Sequence, residues 1–175
     1  MKSRIVVAGH SLHVMLVAFP LGLLCLSPLW DLLRLSTPQP AWGIIGFWTI
    51  FAGVVSALVA AVPGLIDFLA IPTGTRAKLV GLRHLQLNLT LVGLFTLSLV
   101  LRKIAPGGYQ NAGIPQMLPG WFGVVVAGFS AWMGSELVET LGIGVHDGAN
   151  PNAPSSLDEE ELRAQKANVR QAYPR

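Results

Sequence analysis

Four histidines, His10, His13, His84 and His146, are the chain's only imidazoles, and all fall at or near the ends of four hydrophobic segments. On a helix His10 and His13 would project about 60° apart, into neighbouring sectors. His84 and Asn88, one turn apart, would share a face. Asp67 follows the Pro63-Gly64 break, and Glu136 and Glu139 lie near the end of the last apolar run. Neutral imidazoles and carboxylates gathered at one depth suit three arrangements. In the first, His13 and His84 face each other across a bundle and ligate one haem b, with His10 and Asn88 beside them and Arg76 or Arg83 balancing the propionates. In the second, a histidine pair joins Asp67, Glu136 or Glu139 around a non-haem metal. In the third there is no cofactor, and the same side chains form a hydrogen-bonded ion-pair network that fixes helix register or relays a proton. His146 lies past the last span and reads as a loop histidine.

The elements that must position these groups follow from composition. Apolar residues make up 52% of the chain, charged residues only 12%, and the mean hydropathy is +0.57, which marks an integral membrane protein. Crossing roughly 30 Å of hydrocarbon takes about 20 apolar helical residues. Four stretches qualify: Leu12–Trp30, Trp42–Leu65, Leu82–Leu101 and Trp121–Leu141. They lack the two-residue alternation of a barrel strand, so helices are expected. The expected fold is all-α: a four-transmembrane-helix, up-and-down antiparallel bundle over residues 1–146, then a tail over 147–175 with a short soluble C-terminal helix. Lys2 and Arg4 precede an apolar run that continues without a small-x-small cleavage site, so an uncleaved first span is expected. The single cysteine, Cys25, offers no intramolecular disulfide and reads as inert filler.

Lys2, Arg4, Arg76, Lys78, Arg83 and the tail residues Arg163, Lys166, Arg170 and Arg175 would share one side, against Arg34, Arg102 and Lys103 on the other. The positive-inside rule then makes both termini cytoplasmic and places the histidines near the cytoplasmic face. The formal charge of +3 reflects this topology. No basic stripe interleaved with aromatics accompanies it, so nucleic acid is not an expected partner.

The first two connections, Leu33–Pro40 and Pro72–Thr75, are short, as between antiparallel neighbours. Arg102–Pro119 contains Pro106, Gly107, Gly108, Pro115 and Pro119, which predicts an irregular extracytoplasmic loop resting on the headgroups through Ile104, Tyr109 and Met117. Ser156 and Glu159 form a capping-box pattern that would start a tail helix running to about Gln171. Gly53, Ala57, Ala60 or Ala61, and Gly64 make a smooth stripe on the second span, and Gly123, Ser130 and Gly134 a sparser one on the fourth. These suit tight helix packing or room for a flat cofactor. Pro20 and Pro63 are expected to kink the first two spans.

Gly9-His10-Ser11-Leu12-His13-Val14-Met15-Leu16-Val17, continuing to Phe19-Pro20-Leu21-Gly22, resembles the opening signature of the bacterial membrane protein family called domain of unknown function 2231. Pro63-Gly64-Leu65-Ile66-Asp67, His84-x-x-x-Asn88 and Gly134-Ser135-Glu136-Leu137-Val138, leading to Gly142-Ile143-Gly144-Val145, extend the likeness over the membrane portion but not the tail. The resemblance implies a four-helix protein of the bacterial inner membrane, with the family's recurring polar residues carried onto His10, His13, Asp67, His84, Asn88 and Glu136. It also implies a redox setting, since some relatives look to be fused to Rieske-type domains. Ala18 stands where a further histidine is common, which weakens a many-ligand metal more than a two-histidine haem. The expected function is thus a small redox protein with one haem b between His13 and His84, exchanging electrons with quinone or a partner protein. The alternative is an accessory subunit of a larger membrane complex. No G-x-S-x-G, H-E-x-x-H or phosphate-cradling glycine loop supports hydrolytic chemistry.

Overall fold

The computed structural model describes residues 1–37, 39–146 and 148–158. The expected tail helix lies outside them from residue 159 onward, while Ser156 and Leu157 form a turn. Two short antiparallel strands, β1 (Val6–Val7) and β2 (His10–Ser11), open the chain. Ala8 and Gly9, both at positive φ, turn between them, which suits the right-handed strand twist. His10 therefore sits on β2 and not on the first helix as expected; its chain turns helical only at Leu12.

The first span runs from Leu12 to Ser36 as α1 (Leu12–Leu16) and α2 (Ala18–Ser36). The break at Val17 follows from Pro20, whose ring nitrogen has no hydrogen to give the Leu16 carbonyl. The second span is α3 (Pro40–Ala70), which starts on a proline and passes through Pro63 without interruption. The third is α4 (Arg76–Ile104), capped by Thr75, whose Oγ1 accepts from the Lys78 amide at 3.1 Å. The fourth combines α5 (Ile114–Ser135) with a π-helical turn, Glu136–Thr140. Each span is longer than the apolar run that announced it.

The loop before α5 is shorter than expected. Pro115 and Pro119 lie in the opening turns of α5, and Met117 is fully buried, so the connection shrinks to residues 105–113. Tyr109 stacks on Phe47 with ring centroids 4.4 Å apart instead of lying on headgroups. Arg34 Nε donates to the Gln110 carbonyl at 2.8 Å and closes the loop down. Only Ile104 remains turned outward.

The spans pack antiparallel as two hairpins, α2 on α3 and α4 on α5, with α3 against α4 and α2 against α5 closing the ring. The first and third spans are thus diagonal. Leu24, Ile50, Val54, Leu91, Phe95 and Ala127 form the core, while Phe19, Val62, Leu69, Leu89, Phe129 and Trp132 face outward. Such a surface requires lipid around it.

The two hairpins repeat one another. Pro20, Leu24, Ser27 and Asp31, the buried residues of α2, each stand 71 positions before Leu91, Phe95, Ser98 and Arg102, which are buried on α4. His13 and His84 obey the same interval. At an interval one residue shorter, Gly53 matches Gly123, Ala60 matches Ser130, and Gly64 matches Gly134. A Cβ placed on Gly53 would lie 2.5 Å from Leu24 Cδ2, and one on Gly123 would lie 2.7 Å from Phe95 Cε2. The small-residue stripes therefore serve close packing: the space they open holds a side chain from the other helix of the same hairpin. Gly53→Val and Gly123→Val should each cost about 1–3 kcal/mol through overpacking. Gly128→Ala, where nothing lies within 4 Å, should gain up to about 1 kcal/mol of helix stability. Thermal unfolding in detergent separates the two directions.

Candidate functional site

Both span histidines are fixed in the same way. His13 Nδ1 lies 2.9 Å from the Ala60 carbonyl oxygen, and His84 Nδ1 lies 2.9 Å from that of Ser130. A carbonyl oxygen only accepts, so in each ring Nδ1 is the protonated nitrogen and Nε2 keeps its lone pair. Each ring also rests over a glycine one turn further along the partner helix. A Cβ on Gly64 would meet His13 Cε1 at 2.6 Å, and one on Gly134 would meet His84 Cε1 at 3.2 Å. Both residues are half-buried.

Beyond the imidazoles the two halves differ. Asn88 Nδ2 donates to the His84 carbonyl at 2.9 Å and reaches His84 Nε2 at 3.1 Å. The carbonyl fixes the amide orientation, so the second N–H points at the Nε2 lone pair. Ser130 Oγ adds a contact at 3.2 Å to Nδ1. Among the described residues, His13 Nε2 has no such partner.

The remaining candidates are spread over the same end of the bundle without joining the two rings. Buried Asp67 accepts from Ser3 Oγ and from the Arg4 amide, both at 2.6 Å, and so pins the segment before β1. Glu136 pairs with Arg76 and accepts from Thr140 Oγ1. Arg76 is thus engaged by a carboxylate, and its side chain is 62% exposed. Arg83 and Glu139 are exposed. His10 is exposed as well, with Nδ1 held by the Ala8 carbonyl, and His146 Nδ1 accepts from the Gly148 amide in the loop after the last span. Among the described residues no three His, Cys, Asp or Glu side chains come together as a metal-binding group.

The signature residues at this end, His10 to Gly144, fall within the match to a family model described as a predicted membrane protein, DUF2231, over residues 9–147. The chain belongs to the DUF2231 family. No curated protein and no solved structure matches it significantly. The DUF2231 match covers all four spans and stops before the tail.

The opposite end of this DUF2231 bundle holds the most deeply buried charges. Arg102 is entirely buried and Asp31 is 2% exposed; the guanidinium meets the carboxylate in two parallel bonds of 2.7 and 2.8 Å. Trp121 Nε1 donates to Asp31 Oδ2 at 3.0 Å, and Arg102 Nε donates to Ser98 Oγ at 3.1 Å, which in turn donates to the Gln116 carbonyl at 2.7 Å. Three spans are tied by one fork. The hydropathy pattern placed Arg102 in a loop and ended the first span just short of Asp31, so the pair went unnoticed. The signal was there: Asp31 follows His13 by about five helical turns, as Arg102 follows His84, which puts opposite charges at one depth on diagonal helices. Arg102→Leu, which strands Asp31, should cost about 3–5 kcal/mol. Removing both charges in Asp31→Leu/Arg102→Leu should recover most of that loss, as read by thermal unfolding in detergent.

Proposed function

We propose that this protein is a small membrane redox protein that holds one haem b through His13 and His84, near the cytoplasmic face, and exchanges electrons with quinone or a partner protein. The observation that carries this is the matched tethering of two imidazoles at equivalent places in the two hairpins. A ligating histidine usually gives its other ring N–H to a carbonyl or carboxylate, which sets the tautomer and raises the basicity of the free nitrogen. Both rings meet that condition. Two imidazoles also form a complete protein ligand set for haem, whereas a non-haem metal takes three or more protein donors.

When bound, haem would supply a one-electron couple between ferric and ferrous iron. The rest falls to the chain. His13 and His84 would hold the haem as neutral imidazoles, with the Ala60 and Ser130 carbonyls orienting them. Exposed Arg83 at the same end is free to meet propionates, whereas Arg76 already has Glu136. The orientation rests on the cations at the two ends. Arg102 is neutralised inside the bundle by Asp31, leaving Arg34 and Lys103 against Lys2, Arg4, Arg76, Lys78 and Arg83, which favours a cytoplasmic histidine end.

A second reading is favoured by the Asn88 bond, which satisfies His84 without any cofactor: a polar network that sets register in an accessory subunit of a larger complex. Reduced-minus-oxidised absorption spectra of protein purified in mild detergent from haem-supplied cells decide between them. A b-type spectrum is expected, lost in His13→Ala and kept in His146→Ala. A folded, colourless preparation would overturn the haem reading in favour of the network.

A further inference from the structure

The two ends of the bundle treat their cations differently. At the far end each one is engaged within the chain: Arg102 by Asp31, Arg34 by the Gln110 carbonyl and Asn111 Oδ1, and Lys103 over the Tyr109 ring at 5.8 Å. At the histidine end Arg76 meets Glu136, and Lys78 Nζ donates to the Phe68 carbonyl at 2.7 Å. Arg83 is exposed, and among the described residues its guanidinium has no partner. The acids of this end do not supply one. Glu136 is taken by Arg76, Asp67 by the Ser3 hydroxyl and the Arg4 amide, and exposed Glu139 forms no ion pair with it. Nor does the repeat require the charge, since the matching position in the first hairpin is Leu12.

The place of Arg83 is lipid-facing and at a definite depth. Leu79, Leu82 and Leu89 of the same helix are 62%, 43% and 65% exposed, so α4 offers leucines to acyl chains on both sides of the charge. From Arg83 to Arg102 the unbroken helix climbs about 28 Å at 1.5 Å per residue, close to the roughly 30 Å of hydrocarbon in a bilayer. With Arg102 at one boundary, Arg83 stands at the other, where headgroup phosphates begin. An unpaired cation there is costly unless its side chain snorkels to an anion outside the protein.

We infer that Arg83 is the headgroup site for an anionic phospholipid in the leaflet at the histidine end. The planar guanidinium grips two oxygens of the phosphodiester, and the acyl chains lie along the leucines of α4. Arg76 stands two turns earlier on nearly the same face of α4 and keeps N–H groups beyond its bond to Glu136. With exposed Lys2 and Arg4 it gives this end an excess of positive charge, which favours a headgroup of net negative charge, such as phosphatidylglycerol, over a zwitterionic one. The site does not depend on haem: a guanidinium has five N–H donors and can meet a propionate and a phosphate together.

Native mass spectrometry of the full chain, released from micelles holding equal amounts of phosphatidylglycerol and phosphatidylcholine, tests this. The wild type is expected to retain phosphatidylglycerol in preference. Arg83→Gln should lower that preference at least about tenfold, the worth of a charge-assisted hydrogen bond. Arg83→Lys, which keeps the charge and loses the fork, should lower it by less, and Lys103→Gln at the far end should leave it unchanged. Equal retention of the two lipids by the wild type, or an undiminished preference in Arg83→Gln, would overturn the site. Should Arg83→Gln fail to fold, Arg83→Lys decides, and an undiminished preference there would overturn the bidentate grip. Displacement of the lipid by inorganic phosphate would show that Arg83 reads a bare anion, overturning the assignment to lipid.

Discussion

Inside a bilayer a polar group has no solvent to fall back on, and the bundle is organised around that constraint. Among the described residues every fully buried side-chain nitrogen or oxygen but one is bonded, and the long-range bonds run between spans. Asp31 and Arg102 join the first span to the third, Trp121 brings in the fourth, and Asp67 holds the chain that precedes the first. Trp30 Nε1 is the one fully buried side-chain nitrogen or oxygen among the described residues without a partner; its ring stacks on Trp42 at 5.9 Å. Since lipid is as apolar as leucine, helix association here draws on close packing and on these bonds more than on burial of greasy surface.

The two ends answer the constraint in different ways. At one end, opposite charges cancel in a bidentate fork that three spans share. At the other, imidazoles give one hydrogen to a backbone carbonyl and retain a lone pair. A fork of that kind is finished chemistry, closed to outside ligands. A tethered imidazole is unfinished, and this is why the functional proposal rests on the histidine end. Glycine makes the tether workable, because only a bare backbone lets the ring lie flat against the neighbouring helix.

Much of this was legible in the sequence. Long apolar runs disclosed the four spans, and the placement of His13 and His84 within them was sound because helix direction alternates. Charge was harder to read. Asp67 and Glu136 sit at the depth expected of site residues, yet depth says nothing of azimuth, and they serve the leading segment and a surface pair instead. Pro115 and Pro119 read as loop because proline usually does, although Pro115 fits the first turn of α5 without losing a bond and Pro119, one turn on, forfeits only the bond to the Pro115 carbonyl. The hairpin repeat escaped notice for another reason: of the five buried pairs counted with the histidines, only serine and histidine recur as identical residues, and the rest agree in burial alone. Residues 159–175 stay outside the described structure, so the tail helix remains a sequence expectation.

The repeat has an evolutionary corollary. A unit with an even number of crossings re-enters the membrane the same way round, so copying it in tandem requires no inversion of either copy. The present chain has the form that a parallel pair of two-helix subunits would take once fused. Fusion releases the halves from having to be identical, and the first differences to matter lie where the halves meet: an acid facing a base in one leaflet, a bare imidazole beside a bonded one in the other. A strictly symmetric pair of hairpins could have neither.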